Sequence, residues 1–172
     1  MKPFFSLLTT ALLSASLYAQ SDAYVKFEIR NAGVNVKGSF SEYDTDIEIN
    51  PKDLSSARFE GVISVESIDT GIKKRDKDLK KKQYFDTENY PEISFALTSI
   101  SANDDNGYEV NGELTIKGVA KSVSFDAVKV RVSGELYIKG ELMLNRRDFN
   151  VGGRSVMLSD ELKALFRLPT TQ

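Results

Sequence analysis

From Tyr24 to Leu168 this chain sets apolar residues at alternate positions in one short run after another, and few folds tolerate that rhythm. Successive side chains of an extended strand point to opposite faces, so strict alternation means one buried face and one wet face. Val25, Phe27 and Ile29 alternate with Tyr24, Lys26, Glu28 and Arg30. Val34, Val36 and Phe40 follow, then Ile47 and Ile49, then Phe59, Ile63 and Val65. Further runs hold Ile93, Phe95 and Leu97, then Tyr108, Val110, Leu114 and Ile116. Leu136, Ile138, Leu142 and Leu144 form another, and Leu162, Ala164, Phe166 and Leu168 the last. Turn signals stand between them at Asn50-Pro51, Asp104-Asp105-Asn106-Gly107, Lys117-Gly118 and Ser133-Gly134. One run breaks step. After Val123, Phe125 and Ala127 the apolar set passes to Val128, Val130 and Val132, which predicts a β-bulge with Lys129 and Arg131 outside. The whole pattern predicts an all-β domain of about eight antiparallel strands, closed as a barrel or a closely related sandwich.

The start of the chain is of another kind. Lys2 gives a positive beginning, Phe4 to Leu17 carry no charge, and Ala19 offers a small residue for cleavage. This predicts a signal peptide over 1–19, leaving 20–172 as one domain bound for the periplasm or secretion. The apolar run falls short of the ~20 residues of a spanning helix, which disfavours an uncleaved anchor. The chain has no cysteine, so an exported protein of this sequence relies on burial and sheet pairing rather than disulfides. Without Lys2, 22 basic residues face 25 acidic ones. That balance argues against nucleic acid as a partner.

Gly38, Gly61, Gly112 and Gly140 all fall within strands and in the inward, apolar phase. Glycine in a strand costs backbone entropy and packs nothing, so four in one phase need a cause. Two readings stand: the glycines let strands bend for closure, or they keep the interior open for a ligand chain. An eight-stranded barrel accommodates either a side-chain core or one small ligand.

Ile68 to Phe95 interrupts the strands. Asp69 or Thr70 can cap a helix over about 72–82, in which seven of the ten residues from Lys73 to Lys82 are basic. Helical spacing puts Ile72, Asp76 and Leu79 on one stripe, so Ile72 and Leu79 are expected to face the barrel. Asp76 then needs Arg75, another arginine or backbone N–H groups as partner. The lysines form either a solvated face or a contact for anionic lipid headgroups. Asp86 to Asn89 make a second turn, and Pro91 returns the chain to a strand. Tyr84, Phe85 and Tyr90 plug one end of the barrel or line its mouth.

The chain has no histidine and no cysteine, which removes the usual general base, the thiol nucleophile and His/Cys metal sites. No phosphate loop, nucleophile elbow or dinucleotide fingerprint appears. The aspartates at 104 and 105 lack the remaining ligands of a calcium loop. The sequence reads as that of a binding protein, not an enzyme.

Three segments carry a likeness. The first is Ser67-Ile68-Asp69-Thr70-Gly71, continued by Arg75-Asp76, Leu79, Phe85-Asp86, Tyr90-Pro91 and Ile93-Ser94-Phe95. The second is Gly112-Glu113-Leu114-Thr115-Ile116-Lys117-Gly118, and the third Asn145-Arg146 with Asp148-Phe149. In this order they resemble the YceI-like family, exported bacterial proteins with an extended lipocalin-like barrel. The chain departs from the family pattern at Tyr84, Ala120, Ser122 and Asn150, and in its short turn at Ser133-Gly134. The resemblance implies a polyisoprenoid or other fatty-chain amphiphile in the barrel as ligand, and no further cofactor. The inward wall for such a tail would be Phe27, Ile29, Val36, Phe40, Phe59, Ile63, Val65, Phe95, Leu97, Leu114, Ile116, Phe125, Ile138 and Leu142. Arg75, Asp76, Asn145 and Arg146 either read its head or serve as barrel-end ion pairs and turn locks. The alternative is a protein-interaction or membrane-docking module in which the basic helix, Lys73 to Lys82, makes the contact and the barrel is scaffold; the oligomeric state is left open, a dimer included.

Overall fold

The computed structural model describes residues 22–104 and 106–171. The expected leader over 1–19 lies outside these residues, as does Asp105 of the predicted turn. The strands are β1 (Tyr24–Asn31), β2 (Val34–Phe40), β3 (Tyr43–Asn50), β4 (Asp53–Ser64), β5 (Ile68–Asp69), β6 (Glu92–Ala102), β7 (Tyr108–Ile116), β8 (Val119–Val132), β9 (Glu135–Asn145) and β10 (Leu158–Pro169). They form one antiparallel sheet in the order β3-β4-β6-β7-β8-β9-β10-β1-β2-β5. Among the described residues, the all-β antiparallel architecture with a single short α-helix stands as expected. Ten strands replace about eight: each of the nine apolar runs forms its own strand, and β5 adds a two-residue edge.

The sheet curls into a half-barrel whose edges are stitched at two places. At one, β5 pairs with β2 (Ser39 with Asp69, Phe40 with Ile68), while a 3₁₀ turn at Val65–Ser67 joins β5 to β4. At the other, the residues after β10 reach β3: the Thr171 N–H (3.0 Å) and the Thr170 hydroxyl (3.1 Å) both donate to the Ile47 carbonyl. Edge strands that would otherwise expose unpaired backbone are thereby covered.

Strand β8 corrects the expected bulge. Its pairing with β7 and with β9 runs without a register shift. Phe125 and Ala127 are buried, Val128 is 37% exposed, and the Lys129 ammonium donates to the Ile49 carbonyl of β3 (2.5 Å). Lys129 thus keeps the inward phase at the narrow end of the barrel, where its long stem lies along apolar surface and its head finds a carbonyl. The valines of this run take the outer face instead. Register shifts occur elsewhere, between Leu97 and Ser99, Ile29 and Asn31, and Glu48 and Asn50.

The helix α1 spans Lys73–Leu79, shorter than expected. Ile72 is its extended N-cap residue, with no side-chain cap, and is 53% exposed rather than turned to the barrel. Neither Asp69 nor Thr70 caps it. Its C-terminal carbonyls are taken by residues that fold back: Phe85 N–H donates to Leu79 O, Thr87 N–H to Lys80 O, and Tyr84 N–H to Lys81 O. Those bonds end the helix before Lys82.

The interior separates into two groups of buried residues. One holds Ile47, Ile49, Phe59, Tyr108, Val110, Phe125, Ala127, Ile138, Phe166 and Leu168. The other holds Phe40, Val65, Ile68, Ile93, Leu114, Ile116, Leu144, Phe149 and Val151, with Leu79, Tyr84 and Phe85 packed against it.

Candidate ligand cavity

An apolar cavity of about 230 Å³ lies between these two groups. Small-molecule sites are commonly ~300–1,000 Å³, mostly apolar, with a few polar groups to fix orientation. This one falls somewhat below that range, and its lining is almost wholly apolar.

Of the expected wall residues, Phe27, Ile29, Val36, Phe40, Phe59, Ile63, Phe95, Leu114, Ile116, Phe125 and Leu142 line the cavity. Val65, Leu97 and Ile138 do not. Val65 sits in the 3₁₀ turn and is buried, Ile138 is fully buried below the cavity, and Leu97 packs against that lower core. The alternation placed all three correctly on the inner face. It does not encode how far along the barrel axis the hollow extends.

The structure adds lining residues beyond the expected strand wall. Val25, Leu162, Ala164 and Phe166 come from β1 and β10, Leu79, Tyr84 and Phe85 from the helical excursion, and Phe149 and Val151 from the segment after β9. The strand-borne ones shared the inward phase of their runs and could have been found. Leu79 faces the barrel as its helical spacing predicts, and Tyr84 and Phe85 line the mouth, one of the two places expected for them, whereas Phe149 and Val151 could not have been found, because the course of their loop depends on tertiary docking.

That docking is built from hydrogen bonds. Gly152 N–H donates to Gln83 O (2.9 Å), and the Lys117 ammonium donates to Lys82 O (2.8 Å) and Asn150 O (2.9 Å). At the other side of the same loop, Ala32 N–H donates to Met157 O (2.8 Å), tying it to the β1–β2 tip. The Tyr90 ring lies apart, against Gly118.

The four polar candidates divide. Arg146 is 3% exposed and all its donors are used. Its Nε donates to Ser159 O (2.8 Å), its Nη1 to Val151 O (2.9 Å) and Gly153 O (3.0 Å), and its Nη2 to Asp160 Oδ1 (2.7 Å). Arg146 also lines the cavity, but a guanidinium so occupied holds the loop in place. Asn145 accepts from Arg147 N–H (3.0 Å) as cap of the 3₁₀ turn Arg146–Phe149 and lies off the cavity. Asp76 also lies off it; its carboxylate accepts from the Thr70 N–H (2.9 Å) and the Thr70 hydroxyl. Arg75 lines the cavity. Its Nε donates to Thr70 Oγ1 and its Nη2 to Thr70 O, both at 2.7 Å. Thr70, which also touches the cavity, is therefore held from both sides by adjacent residues of α1.

The inward glycines resolve residue by residue. A Cβ at Gly38 would come within 2.2 Å of the Phe27 ring, at Gly112 within 2.3 Å of Phe95, and at Gly140 within 2.6 Å of Phe166. These three glycines seat a phenylalanine ring from the same sheet, a known means of covering glycine in a strand. Gly61 differs. It lines the cavity, and a Cβ there would meet Thr45 Cγ2 at an ordinary 3.5 Å. The open-interior reading holds at this one position.

A curled antiparallel sheet around one apolar hollow, stoppered by a short helix, defines a lipocalin-like barrel. The chain belongs to the YceI-like family: the YceI-like domain model matches residues 18–168. Among curated relatives, UPF0312 proteins of Yersinia pestis (strain Pestoides F) and Yersinia enterocolitica are 32% and 31% identical over 106 residues. The matched part covers 61% of this chain and 55% of each relative, so the match spans about half of their length. Among solved structures, BcnA of Burkholderia cenocepacia superposes with a TM-score of 0.82 at 27% identity, over 87% of this chain and 96% of that one. The YCEI protein of Campylobacter jejuni gives 0.70 at 24%, over 78% and 84%. A polyisoprenoid binding domain from Saccharophagus degradans gives 0.64 at 15%, over 86% and 94%, a likeness of fold alone.

Proposed function

We propose that this protein is an exported carrier or store for a long-chain amphiphile of the polyisoprenoid or fatty-chain type. One observation carries the reading: a hollow with an almost wholly apolar lining inside a fold whose other interior space is densely filled. At ~0.8 kcal/mol per buried CH₂, a tail in such a hollow gains strongly on leaving water, whatever its detailed chemistry. Ordering of the tail reduces the gain. Membership of the YceI-like family and the fold shared with a polyisoprenoid binding domain support the same reading, and favour binding over catalysis.

Arg75 of α1 and Thr70, just before that helix, are polar groups at the cavity, so the head of the amphiphile rests there. The exposed Lys73, Lys74 and Lys77 lie on the same helix and suit a transient contact with anionic lipid heads during loading in the periplasm or outside the cell. Lys80 and Lys81 contribute less, being paired with Glu66 (2.6 Å) and Asp78 (2.5 Å). Native mass spectrometry of the protein purified from its own host tests the reading. A stoichiometric hydrophobic adduct, removed by organic extraction and restored by incubation with the extract, is expected. Protein free of adduct that takes up no prenyl or fatty probe overturns it.

A further inference from the structure

The cavity stops at a definite place. Phe59, Phe95, Phe125 and Phe166 all line it, and each ring meets at least two of the others at centroid distances of 5.1–6.2 Å, edge-on or tilted. Behind them Val110, Ala127 and Ile138 are buried and do not reach the cavity, and of that lower core Leu168 alone touches it besides the rings. Phe95 and Phe166 have also filled the space over Gly112 and Gly140, so they have no room to withdraw toward the sheet. Interdigitated aromatic rings of this kind form a stiff wall, because core packing has few voids into which a side chain can yield.

We propose that this four-phenylalanine wall is a gauge of tail length, which sets the longest chain that the cavity takes up in full. The proposal rests on the reading of the protein as an amphiphile carrier. Each methylene that enters the cavity leaves water and tightens binding several-fold before ordering costs. Once the terminal carbon meets the rings, added carbons stay outside or push against close-packed aromatics. Affinity then stops rising. Gly61 lies on β4 between Phe59 and Ile63, and the space beside it belongs to the hollow. Its missing side chain deepens the cavity where the wall begins.

The test uses the intact delipidated protein and two probe series, straight-chain fatty alcohols and all-trans isoprenols of graded length, with affinity read by displacement of a fluorescent fatty probe. The expected wild-type result is a several-fold fall in Kd for each added pair of carbons, ending in a sharp break. Phe125→Leu should move the break to longer tails, and Gly61→Val to shorter ones. Gly61→Val keeps the test decisive if the first variant does not fold, because its Cβ meets only ordinary contacts. A wild-type affinity that climbs through the whole series without a break overturns the gauge, as does a break that stays put in the folded variants. Failure to bind any probe of either series overturns the carrier reading itself and the gauge with it.

Discussion

The two halves of the barrel interior come from the same alternating strands and end differently. In the lower half, Phe59, Phe95, Phe125 and Phe166 pack ring to ring, with Gly112 and Gly140 making room for two of them. In the upper half, Ile29, Val36, Leu162 and Ala164 face one another around a space that nothing fills. The Phe27 ring, seated on Gly38, lies in this half beside Phe40 at 5.9 Å, and Phe85 meets Phe40 at 6.4 Å, yet these three rings do not close it. Inward phase decides that a residue is inside. The pairing of large side chains with glycines across neighbouring strands decides whether the inside is full.

The largest effect should come from emptying the full half. Phe166→Ala removes a ring that contacts Phe59 and Phe125, and core truncations of this size cost ~3–5 kcal/mol. Leu162→Ala, four residues earlier on β10 in the wall of the hollow, removes atoms that already face open space and should cost less, about 2 kcal/mol, the low end for such truncations. Urea unfolding of the two variants measures the contrast. Equal losses would mean that the hollow closes in solution.

Arg146→Ala comes next. It takes away the donors for Val151 O, Gly153 O and Ser159 O, and buried acceptors left without partners cost ~1–3 kcal/mol each where water cannot reach them. A net loss of about 3 kcal/mol is expected, with the 150–158 loop loosened, which limited proteolysis would reveal. If stability is unchanged while probe affinity collapses, Arg146 reads the head of the ligand instead of holding the loop.

Much of the fold was legible because alternation is a local signal. The four inward glycines, the turn before Pro91 and the strand from Leu162 to Leu168 all follow from it. The misreadings share a physical cause. Val128, Val130 and Val132 outweigh Lys129 in any local count, yet register is fixed along the whole strand from Phe125 and Ala127 to Ile138 on β9. Ile72 has helical spacing to Leu79, but the helix begins one residue later, so Ile72 adopts an extended backbone and turns outward. In the site, Arg146 and Arg75 look alike in sequence. Burial and the carbonyls around each separate them, and those depend on loops whose course no periodicity describes.

A smaller and sharper contrast lies between two glycines. Gly112→Ala places a Cβ 2.3 Å from the Phe95 ring and 2.6 Å from the Ala96 carbonyl, an overpacking expected to cost ~1–3 kcal/mol. Gly61→Ala meets no such obstacle and should be neutral or stabilising by up to ~1 kcal/mol, because it restricts the unfolded chain. Thermal denaturation of both variants side by side checks this. A destabilised Gly61→Ala would show that the upper half is also packed.

The smallest effect concerns the narrow end, where Lys129 reaches Ile49 O. Burial pushes this ammonium below its ordinary 10.5. Between the lowered folded value and the unfolded one, the unfolded chain binds more protons, so this group makes stability rise with pH through that alkaline window. Its contribution is greatest above 10.5 and is lost as pH falls through the folded value. Burial raises Tyr43 and Tyr108, and a hydrogen bond from the Tyr137 hydroxyl to Glu135 raises Tyr137. Those phenols stay protonated longer in the folded state, so their contribution is lost at high pH and has the opposite sign. Lys129→Met keeps the stem and the tyrosines and removes the ammonium. Wild type should therefore gain on the variant as pH rises toward 10.5, in parallel urea titrations, although each protein alone can lose stability there. A difference that stays flat with pH would mean that Lys129 sits in water at the rim, and that the narrow end of the barrel is open.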